Sequence, residues 1–383
     1  MAGILNAEAN IPEGISVNLP DYCPKNFEDL KLWVSLKNGL PFIQDCIFGY
    51  AQTLWDNNKK KAMNIPGVYV YSPNFGSTYA MDSLTSGSFY NLTDAFSRVF
   101  HFLIEKFKAL DYIDGEDMVG AGYDWRYFRT NEYNSTDNWY ENTKQLIMRT
   151  YNKHGKLVII THSMGGLMAY RLFDYLGKQF CAKYIDSFIP IGAPWLGAAK
   201  AVAVAIPVSH YGFPVSKDII KLMSRRIETV PFIFPMGDIG KWGTDPILQV
   251  EGTSLSYGAN DIQRLIWSVN DSVFNHMASY SYEHGFEETM RRHNYKIPYG
   301  IKTKCLFSSG LDTIKTIVTL STKYEEGDKI IYGDGDQTVN IQSLEFCKYM
   351  GVDEWSNVGK YEHTEIIKQD ITYEEIKNWV CDN

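Results

Sequence analysis

A single serine stands where a strand-like run gives way to a helix-like one. In "KLVIITHSMGGLMAYRLF", residues 156–173, Ser163 follows β-branched residues and precedes Gly165 and Gly166. Small residues let a tight turn project the hydroxyl above a sheet edge, the arrangement called a nucleophile elbow. Thr161, two residues before the serine, is larger than the glycine that suits this turn best. The pattern predicts Ser163 as a nucleophile; the alternative is a serine that only caps a helix.

A nucleophilic serine needs a base and an orienting carboxylate, which follow such an elbow in the order acid, then histidine. Of the 8 histidines, only His363, in "YEHTEII", lies beyond the last predicted strand. The stretch "YGDGDQTVN", residues 332–340, supplies Asp336 as the acid, with Asp334 as the reserve. Asp-Gly-Asp also occurs in calcium loops, but no glutamate at EF-hand spacing between helices supports one here. The sequence therefore predicts a triad of Ser163, Asp336 and His363.

Acyl transfer also needs two backbone N–H groups that hold a developing oxyanion. Met164 offers one, because it directly follows the nucleophile. The second is expected in "YSPNFGST", residues 71–78, where Gly76 lets the backbone approach the site. Phe75 or Asn74 would supply that second N–H group.

A mainly parallel sheet has to position these residues. Strand-like runs at 67–72, 117–123, 156–160, 184–192, 302–310 and 329–334 alternate with helical segments. The helical pattern after Ser163 is interrupted near its end by Gly177. Between about 195 and 299 the alternation gives way to Gly-, Pro- and aromatic-rich sequence, which predicts an inserted cap. The expected fold class is α/β, with helices on both faces of the sheet.

The amino-acid composition limits the classes of molecule that the protein is expected to bind. The 383 residues are 45% hydrophobic and carry a net charge of −8, which argues against a nucleic-acid partner. An aromatic content of 14% fits work beside lipid or sugar. The longest apolar run, residues 198–208, is too short to span a membrane and contains Lys200. The cysteines lack metal-binding spacing, and acyl transfer by a serine, a histidine and an acid needs neither a metal nor an organic cofactor, so none is expected.

The compartment is indicated by cysteines and sequons. An even count of 6 cysteines permits disulfides, and Asn91, Asn134 and Asn270 begin possible glycosylation triplets. Both features favour a secreted or luminal protein. The opening "MAGILNAEANIPEG" lacks the basic start and apolar core of a signal peptide, so a cytoplasmic location stays open.

With these residues placed, the chain resembles the lecithin:cholesterol acyltransferase family, which includes lysosomal phospholipase A and phospholipid:diacylglycerol acyltransferases. The resemblance extends from about Cys23 to His363 and includes several motifs in the family's order. These motifs are "LWVSLKNGLPFIQDC", "YSPNFGST", "GAGYDWR", "THSMGG", "IPIGAPWLGAAKAV", "YGDGDQTVN" and "EHTEII".

The resemblance implies an α/β-hydrolase fold with an inserted cap and an N-terminal membrane-binding subdomain. It divides the chain into an N-terminal part (1–60), a first core part (61–196), a cap (197–298) and a second core part (299–383). Residues 197–226 match a mobile lid, and their composition is poorly patterned for a rigid helix; a static cap wall is the alternative. The implied site residues are the triad Ser163, Asp336 and His363, the oxyanion donors Phe75 and Met164, and the disulfides Cys23–Cys46 and Cys305–Cys347. Cys181 and Cys381 stay unassigned, and Trp33, Val34 and Leu36 are expected to contact substrate or membrane, unless they pack into the core.

The expected function is transfer of a fatty acyl chain from a phospholipid, through an acyl-serine, to a sterol, another lipid alcohol or water. A peripheral membrane surface is the expected place of action. Two alternatives remain: a soluble small-ester hydrolase, and a catalytically silent lipid-binding protein on the same fold. The acyl acceptor and the oligomeric state are left open.

Overall fold

The computed structural model describes residues 4–13, 19–32, 41–82, 98–128, 138–206, 217–237, 239–324 and 329–381. The strands are β1 (Asn6–Asn10), β2 (Asn26–Lys31), β3 (Thr53–Asp56), β4 (Lys61–Asn64), β5 (Val68–Tyr71), β6 (Leu157–His162), β7 (Ile185–Ile191), β8 (Leu248–Val250), β9 (Ser256–Tyr257), β10 (Lys302–Phe307), β11 (Thr313–Thr319), β12 (Lys329–Gly333) and β13 (Glu354–Asn357). The helices are α1 (Pro41–Ala51), α2 (Tyr79–Asp82), α3 (His101–Lys108), α4 (Trp139–His154), α5 (Met164–Tyr184), α6 (Ala199–Ala205), α7 (Lys217–Ser224), α8 (Thr229–Phe232), α9 (Ile262–Ser268), α10 (Ser272–Glu283), α11 (Phe286–Arg292), α12 (Ile341–Leu344) and α13 (Asp370–Cys381).

The central sheet is parallel and has the order β13-β10-β7-β6. Helix α5 forms the crossover between β6 and β7, and it is interrupted at Gly177 (φ 78°, ψ 164°), as the sequence predicts. Parallel strands place their carboxyl ends at one sheet edge, where ligands of open α/β sheets bind. Both the nucleophile strand and the strand before the histidine therefore end at this edge.

Helices cover both faces of the central sheet. Phe188 of β7 packs in one apolar cluster with Leu167 and Phe173 of α5. Ile189, the next residue, faces the opposite cluster, which contains Trp379 of α13 together with residues of α3. Side chains along a strand alternate between faces, so β7 is buried on both sides. The fold class is thus the expected α/β architecture.

Two of the predicted strands form, but they pair in sheets other than the central parallel sheet. Strand β5, within 67–72, pairs antiparallel with β1 in the sheet β2-β1-β5. Strand β12, within 329–334, pairs antiparallel with β11 in the sheet β12-β11-β8-β9. The first of these sheets joins residues on both sides of position 60, the expected boundary of the N-terminal part. The second joins β8 and β9, within the range expected to form the cap, to β11 and β12, which follow that range.

The strand predicted at 117–123 is wrong, because these described residues form only a bridge between Asp114 and Met118. Their glycines serve close packing instead. A Cβ on Gly120 would lie 2.4 Å from the carbonyl oxygen of Ser77, and Gly120 itself accepts a backbone hydrogen bond from Gly76 (2.9 Å). The segment therefore supports the loop after β5 rather than extending a sheet.

The expectation that residues 197–226 are unsuited to helix is wrong for its two ends. Small residues make α6 a buried helix, and its last carbonyls are satisfied by Arg225, whose Nε donates to Ala205 (2.7 Å) and whose Nη2 donates to Ile206 (3.0 Å). Capping by a cation suits the negative end of a helix. Residues 207–216 lie outside the described residues.

Both expected disulfides are present, Cys23–Cys46 and Cys305–Cys347. The second joins β10 to the 3₁₀ helix Glu345–Tyr349. Cys181 is buried and Cys381 exposed, and neither is disulfide-bonded. Across the described ranges, every helix is too short or too polar to cross a membrane.

Candidate active site

Strand β6 ends directly in a strained turn at the serine. Ser163 has φ 56° and ψ −135°, a conformation that costs free energy and collects at functional sites. The turn is held because the Ser163 N–H donates to the carbonyl oxygen of Ile191 (2.9 Å). A Cβ on Gly166 would lie 2.7 Å from the Cβ of Ala193, so only glycine lets α5 approach β7 this closely. The elbow forms with Thr161 in the preceding strand.

The histidine comes from the loop after β13, the strand farthest from β6 in the central sheet. His363 follows β13, and its loop is tied to β10 because the Ser308 hydroxyl donates to the Tyr361 carbonyl (2.9 Å). Its Nε2 lies 2.7 Å from the Ser163 Oγ. Its Nδ1 lies 2.7 Å from the Asp336 Oδ2. The three residues form one continuous hydrogen-bonded chain.

Asp336 is fully buried in the loop after β12. Its Oδ1 accepts hydrogen bonds from the backbone N–H groups of Val339 (2.7 Å) and Thr338 (3.1 Å), which leaves Oδ2 for the histidine. The reserve carboxylate, Asp334, is exposed and accepts from the Gly310 N–H (2.6 Å) instead. The structure thus brings Asp336, and not Asp334, to the histidine.

Lys200 of α6 touches the acid loop. Its Nζ donates to the Gln337 carbonyl (3.3 Å) and to the Thr338 hydroxyl (3.2 Å). Burial lowers the pKa of this ammonium group, while the negative charges of Asp336 and Glu362 act in the opposite direction. Lys200 thereby joins α6 to the loop that carries Asp336.

The two expected oxyanion donors lie on the elements predicted for them. Met164 is the first residue of α5, where helix N–H groups have no intrahelical partner. Phe75 lies in the turn after β5, shaped by Asn74 (φ 53°) and Gly76 (φ 97°). The Phe75 side chain is 39% exposed. It lines a cavity of about 380 Å³ together with Trp139 and the tyrosines of β5; no triad side chain lines this cavity.

The residues expected to contact substrate or membrane are not among those that the structure describes. Trp33, Val34 and Leu36 lie outside the described residues. No group of three or more His, Cys, Asp or Glu side chains that could hold a metal ion occurs within the described ranges.

Sequence reasoning missed two residues beside the triad: His162 contacts His363, and Lys200 contacts the loop that carries Asp336. His162 is fully buried, and its Nε2 lies 2.7 Å from the carbonyl oxygen of His363. Lys200 was noted only as a charge in an apolar run. The position of His162 next to the nucleophile was the one signal for its role, and it gave no indication of a contact across about 200 residues.

A serine on a strand-to-helix elbow of a parallel sheet, joined to a histidine and an aspartate from later loops, is the arrangement of an α/β-hydrolase. Residues 27–306 match the protein family described as Lecithin:cholesterol acyltransferase. The chain belongs to the lecithin:cholesterol acyltransferase family. It is an enzyme of the acyltransferase and phospholipase A type.

Named relatives agree with this membership. The Phosphatidylcholine-sterol acyltransferase of Gallus gallus is 28% identical over 330 residues, which cover 85% of this chain and 75% of that protein. The Lysosomal phospholipase A and acyltransferase of Canis lupus familiaris is 26% identical over 332 residues, covering 85% of this chain and 76% of that protein. The human Phosphatidylcholine-sterol acyltransferase is 28% identical over 335 residues, covering 85% and 70%.

Proposed function

We propose that Ser163, His363 and Asp336 are the catalytic triad of a lipid acyltransferase, which moves a fatty acyl chain from a phospholipid to a hydroxyl acceptor. One observation carries this proposal: Ser163 Oγ, both ring nitrogens of His363 and the buried Asp336 carboxylate are joined by two hydrogen bonds of 2.7 Å each. This is the geometry in which a serine loses its proton to a correctly oriented base.

In the first half-reaction Ser163 Oγ attacks the ester carbonyl carbon while Nε2 of His363 takes the hydroxyl proton. The carbonyl oxygen becomes an oxyanion, held by the backbone N–H groups of Met164 and Phe75. The ester C–O bond then breaks, and the protonated His363 gives its proton to the leaving oxygen. The products are an acyl-serine and a lysolipid. Asp336 stays ionised and stabilises the imidazolium through Nδ1.

In the second half-reaction His363 takes a proton from the acceptor hydroxyl, whose oxygen attacks the acyl-serine. Collapse of the second oxyanion returns the proton to Ser163 Oγ and releases the new ester. With water as acceptor the product is a fatty acid, and with a sterol or another lipid alcohol it is a lipid ester. The same residues perform both reactions, so exclusion of water decides the product ratio.

The donor and the place of action are proposed from the relatives and the fold. One relative is named for phosphatidylcholine and sterol and another for phospholipase A, which favours a phospholipid donor held at a membrane surface. We also propose that residues 1–60, in which the Cys23–Cys46 disulfide closes a loop, contact the membrane surface. Two disulfides and the exposed Asn270, which begins a possible glycosylation triplet, favour a secreted or luminal compartment. The name of one relative places that relative in the lysosome.

The test is product analysis on phosphatidylcholine liposomes with and without a sterol. Wild type should release lysolipid in both, and a sterol ester should form only in the second. Ser163→Ala should remove both products and labelling by a fluorophosphonate, with an unchanged unfolding midpoint. Cys181→Ser, away from the triad, is the matched control and should keep activity. Lipid cleavage by a clean Ser163→Ala preparation would overturn the assignment, and equal rates on dispersed short esters and liposomes would favour a soluble esterase.

A further inference from the structure

The buried histidine beside the nucleophile contacts the base through the main chain. His162 Nε2 lies 2.7 Å from the carbonyl oxygen of His363, and the two rings have centroids 4.9 Å apart. His162 is the last residue of β6, so it is fixed by ladder pairing to Ile191 of β7. The contact therefore joins the nucleophile strand to the loop that carries the base.

The contact also fixes the protonation of His162. A carbonyl oxygen carries no hydrogen, so Nε2 must be the protonated nitrogen that donates. Nδ1 is buried and has no hydrogen-bond partner among the described residues. A second proton on Nδ1 would therefore be a buried, unpaired donor. Burial accordingly lowers the pKa of His162 well below its ordinary value, and positive charge on His363 lowers it further.

We propose that His162 is a positioning residue, whose Nε2–H sets the main chain of His363 in register with the strained elbow at Ser163. The inference rests on the proposed function. The main chain of His363 is then held on both sides, because its own N–H donates to the Asp336 carbonyl (2.9 Å) and its carbonyl accepts from His162. With the main chain held, the ring needs only its two side-chain hydrogen bonds to point at the serine.

Neutrality of His162 belongs to this role. His363 becomes a cation in each half-reaction, and a second imidazolium 4.9 Å away would oppose that charge in a buried site. Within the described ranges, the ionisable groups whose charge acts on His162 are His363 and Lys368, and both favour its neutral form. A permanently neutral donor of similar reach should therefore replace it.

Three variants test the donor. In His162→Gln the amide nitrogen can reach the same carbonyl, in His162→Asn it is too short to do so, and His162→Met fills the space without a donor. Each is assayed as kcat and KM on a short soluble ester, per active site titrated with a fluorophosphonate. We expect Met and Asn to lower kcat about 10-fold to 100-fold with KM unchanged, as for a misplaced base. Gln should stay within about 3-fold of wild type, with the same acid limb of its pH–rate profile.

The outcomes separate the role from simple packing. A loss in Gln as large as in Met, or a full rate in Met, would overturn the proposal, and so would an acid limb that moves in Gln. A packing role alone would change the unfolding midpoint and the number of active sites but not the rate per site. If His162→Met does not fold, the Asn and Gln pair still decides. Ser163→Ala is measured in parallel: if it keeps activity, the proposed function itself fails, whereas a silent His162→Met beside an inactive Ser163→Ala rejects only this inference.

Discussion

Replacing Asp336 by asparagine should inactivate the enzyme through the tautomer of His363 rather than through its position. The Asp336 Oδ1 position receives two backbone N–H groups, so the carbonyl oxygen of an asparagine must occupy it. The amide NH₂ group then faces His363 Nδ1 at the site of the present 2.7 Å contact. A donor there requires the Nδ1 lone pair, which places the proton on Nε2 and leaves no acceptor for the Ser163 hydroxyl.

The expected loss follows from this wrong tautomer. In serine-hydrolase triads the same substitution lowers kcat about 10⁴-fold, which corresponds to about 5 kcal/mol of barrier. The assay is kcat on a short soluble ester, together with the rate of fluorophosphonate labelling. Asp334→Asn is the matched control, because Asp334 is exposed and its carboxylate accepts from the Gly310 N–H rather than from His363; it should keep activity within about 3-fold. Asp336→Asn with a kcat within tenfold of wild type, or an equal loss in the control, would refute the reasoning.

Three further predictions concern stability. Gly166→Ala should lower the free energy of unfolding by about 1–3 kcal/mol in urea titrations, since its Cβ would lie 2.7 Å from that of Ala193, and adding Ala193→Gly should recover part of the loss. Replacing Cys23 and Cys46 by serine should lower it by about 3 kcal/mol, given a separation of 23 residues, and liposome flotation should show weaker binding before unfolding sets in. The folded-state pKa of His162 lies well below 6.5, so on acidification the unfolded chain binds the proton first. Its stabilising contribution is therefore fully present above pH 6.5 and decreases as the pH falls below 6.5. His162→Gln should lose correspondingly less stability than wild type over that range, and parallel slopes would contradict the buried neutral state.

The hydrogen-bonded arrangement of Ser163, Asp336 and His363 was predictable because its signals are local. The elbow is a run of neighbouring residues, and chain order selected His363 and the loop at 332–340, with Asp336 preferred and Asp334 in reserve. The strand before that loop lies outside the central sheet, so its pairing played no part in the prediction. The break in α5 was also local, since Gly177 adopts φ 78°. Each of these predictions needed the type of an element but not its partner.

Pairing partners were not predictable in the same way. Alternation of apolar residues identifies β5 and β12 as strands but does not specify which strand each one joins. At 117–123 the glycines that resembled a strand interior serve close contact with the loop after β5. The stretch that forms α6 looked poorly patterned for a helix because it lacks a polar face. It forms a helix that is buried almost all round, for which no apolar periodicity is needed, and its alanines favour helix.

The same distinction explains why His162 escaped notice although it adjoins the nucleophile. Its hydrogen bond spans 201 positions and ends on a main-chain carbonyl, so the residue type at its partner position carries no signal. Ser163 stores strain that must be held by its surroundings, and it is held by the Ile191 carbonyl on one side and by close packing at Gly166 on the other. The base loop has no comparable sheet pairing at His363, so side chains and single backbone bonds must fix it. A site assembled from distant loops therefore depends on contacts such as the one between His162 and the carbonyl oxygen of His363. The sequence motif contains His162, but it does not show which residue His162 contacts.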